Sequence, residues 1–161
     1  MNNISIYTSA FLMSALVFLS PQASYATSMH HHQTREIAAN TQIPVLTLSA
    51  SIDANSGINL KLLIKDYQLG APGDNETNIY VDGKPLIQGH AHLFINGVKI
   101  QRIYGQDLHV PQHLFSTGVN KILVSLNSHQ HHNWTISGEP ITSMLSLTLS
   151  DTQQIHIHSA L

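Results

Sequence analysis

The chain contains no cysteine. That removes disulfides, lipid attachment through a thiol and every thiolate metal ligand, including the cysteine on which blue-copper electron-transfer sites depend. Charge is scarce as well: Asp, Glu, Lys and Arg make up 10% of 161 residues, with a formal net charge of -2. A quarter of residues is the usual share. No basic run is present that could neutralise a phosphate backbone or hold an anionic membrane surface, so nucleic acid is not an expected partner. Outside the first 20 residues, no segment of ten or more carries a 3.6-residue apolar period, which excludes a helical domain.

What is there reads as one all-β domain behind an export signal. Ile4 to Leu19 is an apolar run, and Ser24 and Ala26 are small residues at the two positions signal peptidase reads. The run is shorter than the roughly 20 apolar residues a bilayer span needs. We therefore expect residues 1–26 to be a cleaved signal peptide, with no membrane anchor afterwards and a periplasmic or secreted product. Residues 27–43 are polar, without a period, and carry His30, His31 and His32; a flexible leader is expected. From 44 to 161 the pattern is period-2 runs broken by turn residues. Val45 to Ile52 and Ile58 to Lys65 flank the turn-rich Asp53 to Gly57, Ile79 to Val81 precedes Asp82-Gly83, Val119 to Leu126 is a strong strand pattern, and Ile155 to His158 alternates cleanly. Met144 to Leu149 alternates poorly, which suggests burial on both faces. Seven or eight such strands indicate an antiparallel β-sandwich or a small barrel.

The most informative stretch is Gly89 to Ile100. Asn96-Gly97 between two β-prone runs is the strongest short-range hairpin cue, because a two-residue type I′ turn needs positive φ at both central positions. The expected pairing puts Ile95 opposite Val98 and Leu93 opposite Ile100 on the core face. Alternation then puts His90 and His92 together on the other face, roughly 7 Å apart along the strand.

The remaining histidines give that pair its meaning. There are twelve, grouped as His30, His31 and His32, then His90 and His92, His109 and His113, His129, His131 and His132, and finally His156 and His158. A metal site needs ligands converging from separate elements, and neutral imidazole suits copper, zinc and nickel alike. His90 and His92 would come from a strand, His109 from the loop after Gly105, and His131 from the loop after the Val119 to Leu126 strand. Those four are the expected ligands of one divalent metal. His129 and His132 could substitute for His131, while His113, His156 and His158 suit solvated surface. An all-nitrogen set favours copper over zinc, and because ligating imidazole must be neutral, binding is expected to weaken as the pH falls through about 6.5.

Two other classes stay open. A metal-dependent hydrolase would need a positioned base, and Asp107 and Glu139 are the carboxylates nearest the histidines in sequence, neither in a catalytic motif; a non-enzymatic role is expected. A metal-free recognition module could use Trp134, Tyr104 and Tyr80 near loop tips.

Gly57-Ile58-Asn59-Leu60, the Gly89 to Gly97 hairpin, Arg102-Ile103-Tyr104-Gly105 leading to His109, and Leu126-Asn127 leading to His131 and Trp134 together carry a resemblance. The span from Gly57 to Ile141 resembles a group of small exported bacterial His-rich proteins with an immunoglobulin-like sandwich. The resemblance implies that fold, export and a histidine metal site. With the blue-copper ligand set excluded, sequestration or delivery of the metal is the expected role, with a metal transport or chaperone protein as a partner.

Overall fold

A computed structural model of the chain describes residues 33–73 and 79–158. The expected signal peptide, His30 to His32 and part of the 70–78 loop lie outside those residues. The strands are β1 (Thr34–Glu36), β2 (Val45–Ile52), β3 (Ile58–Lys65), β4 (Tyr67–Leu69), β5 (Tyr80–Val81), β6 (Lys84–Pro85) and β7 (Ile87–Ile95). They continue as β8 (Val98–Ile103), β9 (Asp107–Val110), β10 (Gly118–Asn127), β11 (Asn133–Ile136), β12 (Glu139–Pro140), β13 (Thr142–Leu149) and β14 (Ile155–His158), with a single turn of 3₁₀ helix at Gln112–Leu114. No α-helix occurs among the described residues.

Alternation explains how the layers form. In β3, Ile58, Leu60 and Leu62 are buried while Asn59, Lys61 and Leu63 face out; in β2, Leu46 and Leu48 are buried between exposed Val45, Thr47 and Ser49. These strands pair in the antiparallel sheet β2-β3-β9. The larger sheet is centred on β10, whose residues Ile122 to Ser125 pair with β7 on one edge and β13 on the other. Strand β8 extends it beyond β7, and β14 beyond β13. Ala91, Leu93, Ile95, Ile122, Val124, Leu126, Leu145 and Leu147 then join Leu46, Leu48, Ile58, Leu60 and Leu62 in one apolar cluster between the sheets. This is an all-β sandwich. Strand β13 is buried on one face only, with Leu145, Leu147 and Leu149 inside and Met144 exposed, because only that face meets the second sheet.

The hairpin forms at Asn96-Gly97, with φ of 52° and 82° and Ile95 opposite Val98. Asn96 also ties the turn to β10: its Oδ1 accepts from the Lys121 amide at 2.9 Å and its Nδ2 donates to Asn120 Oδ1 at 2.9 Å. The register beyond the turn differs from the simple expectation. A β-bulge between Leu93 and Phe94 places Gln101, not Ile100, opposite Leu93. Ile100 is therefore half-buried, and Val98, at the turn itself, is 63% exposed instead of facing inward.

The bulge has a larger effect further along. Without it, Gln101 would stand opposite His92 and Arg102 opposite Ala91. One extra residue reverses the faces of everything after it. Arg102 now pairs with His92 and Ile103 with Ala91, so Ile103 enters the core at 4% exposure and Arg102 joins the histidine face.

The leader boundary also moves. Thr34–Glu36 forms a parallel pairing with Asn133 to Thr135 of β11 instead of a free leader. The Glu36 carboxylate holds it there, accepting from Thr135 Oγ1 at 2.6 Å, from the Gly138 amide at 3.1 Å and from the Ser137 amide. Those bonds hold the Glu36 carboxyl below its ordinary pKa, Thr135 first.

A Cβ at Gly97 would meet no atom within 4 Å, so only its positive φ restricts the position. Gly97→Val is accordingly expected to cost about 1–3 kcal/mol through backbone strain alone. An unchanged urea midpoint would contradict this turn.

Candidate metal centre

Because β7 alternates, Ala91, Leu93 and Ile95 point to the core and His90 and His92 to the opposite face. That face is nevertheless closed: His90 is 2% and His92 0% exposed. The register puts Asn127 of β10 beside His90, and sets Ser125 of β10 and Arg102 of β8 on either side of His92. The third imidazole arrives from the turn between β10 and β11. There the His131 amide donates to the Ser128 carbonyl at 2.9 Å, the Ser128 amide to the His132 carbonyl at 2.9 Å, and the His132 amide to Ser128 Oγ at 3.2 Å. This tight turn requires φ of 69° at His131, a region in which histidine is enriched over other non-glycine residues. The ring of His131 lies 4.9 Å from that of His90 and stacks at 5.7 Å on that of His92. The ligating nitrogens of His90, His92 and His131 all fall within 4.8 Å of one another.

The polar atoms inside this cluster have a definite order. His90 Nε2 and His92 Nε2 are 2.8 Å apart, and Lys99 Nζ lies 3.1 Å from His92 Nε2. A protonated lysine can only donate. His92 Nε2 is then the acceptor, and the proton between the two imidazoles belongs to His90 Nε2. Two N–H groups thus converge on His92 Nε2. Burial pushes the His90 pKa down to about 4, with His131, Arg102, His129 and Lys99 adding repulsion of positive charge. Lys99 is also lowered, by burial first and then by Arg102. His90 is therefore neutral, the ligating form, well below pH 6.5, and proton competition at this residue begins nearer 4 than the sequence suggested.

The strand ends are clamped beneath the site. Tyr67 Oη lies 3.0 Å from the His90 carbonyl and 2.8 Å from that of Asn127, and burial raises its hydroxyl pKa. A Cβ at residue 89 would stand 2.0 Å from the Asn127 carbonyl oxygen and 2.4 Å from Tyr67 Oη, so the close approach needs Gly89. Ser125 Oγ donates to Asn127 Oδ1 at 2.8 Å, and Asn127 Nδ2 donates to Asn133 Oδ1.

His109 does not join the other three. Asp107–Val110 is not a loop but a strand paired with β3, which puts His109 opposite Asn59 in the other sheet. There it is exposed, with Nδ1 4.0 Å from Asp53 Oδ2. Among the rest, His129 stacks at 6.1 Å from His90, beside the trio, while His113, His156 and His158 are exposed. Trp134 belongs to the core, covered by the Arg35 guanidinium at 5.1 Å, and Tyr80 is exposed on β5. Asp107 pairs with Lys61 at 3.5 Å and Glu139 is exposed on β12. Lys99, Tyr67 and Ser125 carry no sequence signal for the site, and Arg102 and Asn127 appear in sequence only within the resemblance motifs; Tyr104, expected on a recognition surface, has its ring 5.8 Å from His90. Compared with protein-family models, curated proteins and solved structures, the chain gives no match.

The pH dependence of the metal-free protein follows from His90. Its folded pKa is below its unfolded value, so the unfolded chain binds the extra proton and stability falls as the pH drops from about 6.5 towards 4. Urea midpoints measured across that range should fall less steeply for His90→Gln than for the parent. Equal slopes would mean that His90 is not buried as a neutral ring.

Proposed function

We propose that the chain is an exported metal-binding protein that holds one divalent ion, copper(II) in preference to zinc, at His90, His92 and His131, for sequestration or delivery. One observation carries this: three imidazole nitrogens from a strand and a separate turn converge within 4.8 Å. The rest of the site supports it. His90 is already neutral at physiological pH, and the strand fixes two ligands without extra ordering entropy. Nitrogens bound at about 2.05 Å are about 2.9 Å apart at a right angle and about 3.4 Å apart at the tetrahedral angle. Neither geometry is imposed by the metal-free rings, and copper(II) is favoured because an all-nitrogen set binds it more tightly than zinc. Half-buried His131 and Tyr104, 40% exposed, form the side from which an ion can enter.

The setting belongs to the same proposal. An export signal at 1–26 would place the protein in the periplasm or outside the cell, where copper(II) is the stable ion. Membership of the exported His-rich group and exchange with a metal transport or chaperone protein fit that setting. Asp107 pairs with Lys61 and Glu139 is exposed on β12, so neither carboxylate is tied to the three rings, which supports metal binding without catalysis.

Copper(II) titration of the full chain with His30, His31 and His32 replaced by Ala tests this without removing the docked β1. We expect a Kd tighter than about 10 μM, and at least about 100-fold weaker binding, or 2.7 kcal/mol, on adding His90→Ala with His92→Ala. His109→Ala should leave affinity unchanged. Binding that survives loss of the His90 and His92 pair, or that is absent from the start, would favour a metal-free recognition module.

A further inference from the structure

Lys99 and Arg102 are unexpected beside a site for a cation. Lys99 Nζ is 3.1 Å from His92 Nε2, and the bulge brings Arg102 directly opposite the same histidine. The ion pairs among the described residues are Lys61 with Asp107, Lys65 with Asp66 and His109 with Asp53. None involves Lys99 or Arg102. Two positive groups therefore stand beside the three imidazoles, and a divalent ion would add two more positive charges. Like charge so close opposes the ion, and a negative group arriving with it would offset that repulsion. Three imidazoles also leave at least one coordination position open.

We propose that the metal at His90, His92 and His131 is bound together with a small carboxylate-type anion, which fills an open coordination position and is held on its other side by Lys99 and Arg102. This rests on the metal-site reading above. A planar carboxylate or bicarbonate has two oxygens on one carbon: one can bind the metal while the other accepts charge-assisted hydrogen bonds from the ammonium and the guanidinium. The two side chains are suited to that division. Half-buried Lys99 already reaches a ring nitrogen of His92, and if the metal displaces it there it needs a new acceptor close by. Arg102 is exposed, at the side from which a solvent anion approaches. The anion and the metal then raise each other's affinity reciprocally, and loss of the anion releases the ion.

The test is copper(II) titration of the full chain carrying His30→Ala, His31→Ala and His32→Ala, in a carboxylate-free buffer with and without millimolar bicarbonate. Bicarbonate should tighten copper binding about tenfold, although bicarbonate in solution competes for copper and would otherwise weaken it. In Lys99→Met with Arg102→Met the gain should vanish. Arg102→Met alone, a change at an exposed position, should lower the gain and guards against misfolding of the double variant. Equal affinity with and without bicarbonate in the parent overturns this inference and leaves the metal site standing. So does a gain that persists undiminished in both variants. No copper binding in either condition overturns the metal site and this inference with it.

Discussion

Burying two imidazoles on the back of a central strand is the constraint to which most of this structure answers. An unsatisfied buried polar group costs about 1–3 kcal/mol, and His90 and His92 bring four ring nitrogens to a face that is closed to solvent. The pairing of β7 with β10 supplies the surroundings: Asn127 and Ser125 stand beside the two rings, and Tyr67 ties the two strand ends together through the carbonyls of His90 and Asn127. The same pairing aligns Ala91, Leu93 and Ile95 with Leu126, Val124 and Ile122 on the opposite face. A slip of one residue would exchange the two sets and put imidazole in the core and leucine under the site. Fold and site are thus fixed by one register.

The bulge in the β7–β8 hairpin makes a second use of the same logic. Sequence order alone offers Gln101 to the histidine face and Arg102 to the core, an arrangement that would bury a guanidinium without a partner. The extra residue sends Ile103 inward and Arg102 outward, which gains apolar burial and removes that cost together. Its chemical consequence is a positive group opposite His92. Whatever occupies the three imidazoles does so beside Lys99 and Arg102, and the charge balance of the site follows from a backbone irregularity.

Much of the fold was legible because its longer strands are β-prone runs bounded by turn residues. Val45 to Ile52, Ile58 to Lys65 and Ile155 to His158 have the bounds expected of them, and Asn96-Gly97 turns as its residue types require. Two short strands were not legible: Asp107–Val110 forms through pairing with β3, and Thr34–Glu36 is held by the Glu36 carboxylate on β11, partners about 50 and 100 residues away. That is why His109 was misplaced. In sequence it follows Arg102-Ile103-Tyr104-Gly105 closely enough to suggest the same loop cluster, but a strand reversal carries it to the other sheet. His90, His92 and His131 were within reach of sequence reasoning because each sits on or just after a strongly patterned strand. Lys99 and Arg102 were not, since only the bulge determines which side they face.

The central claim is that one divalent ion binds among His90, His92 and His131, and the most direct measurement is an anomalous-scattering crystal structure of the copper-loaded protein. The account predicts a single strong peak within about 2.0–2.2 Å of one nitrogen of each of the three rings, with Lys99 Nζ moved away from His92. A peak at His109 and Asp53 in place of that position, or a copper-soaked crystal in which the hydrogen bond from Lys99 to His92 persists and the three rings hold no metal, would contradict it.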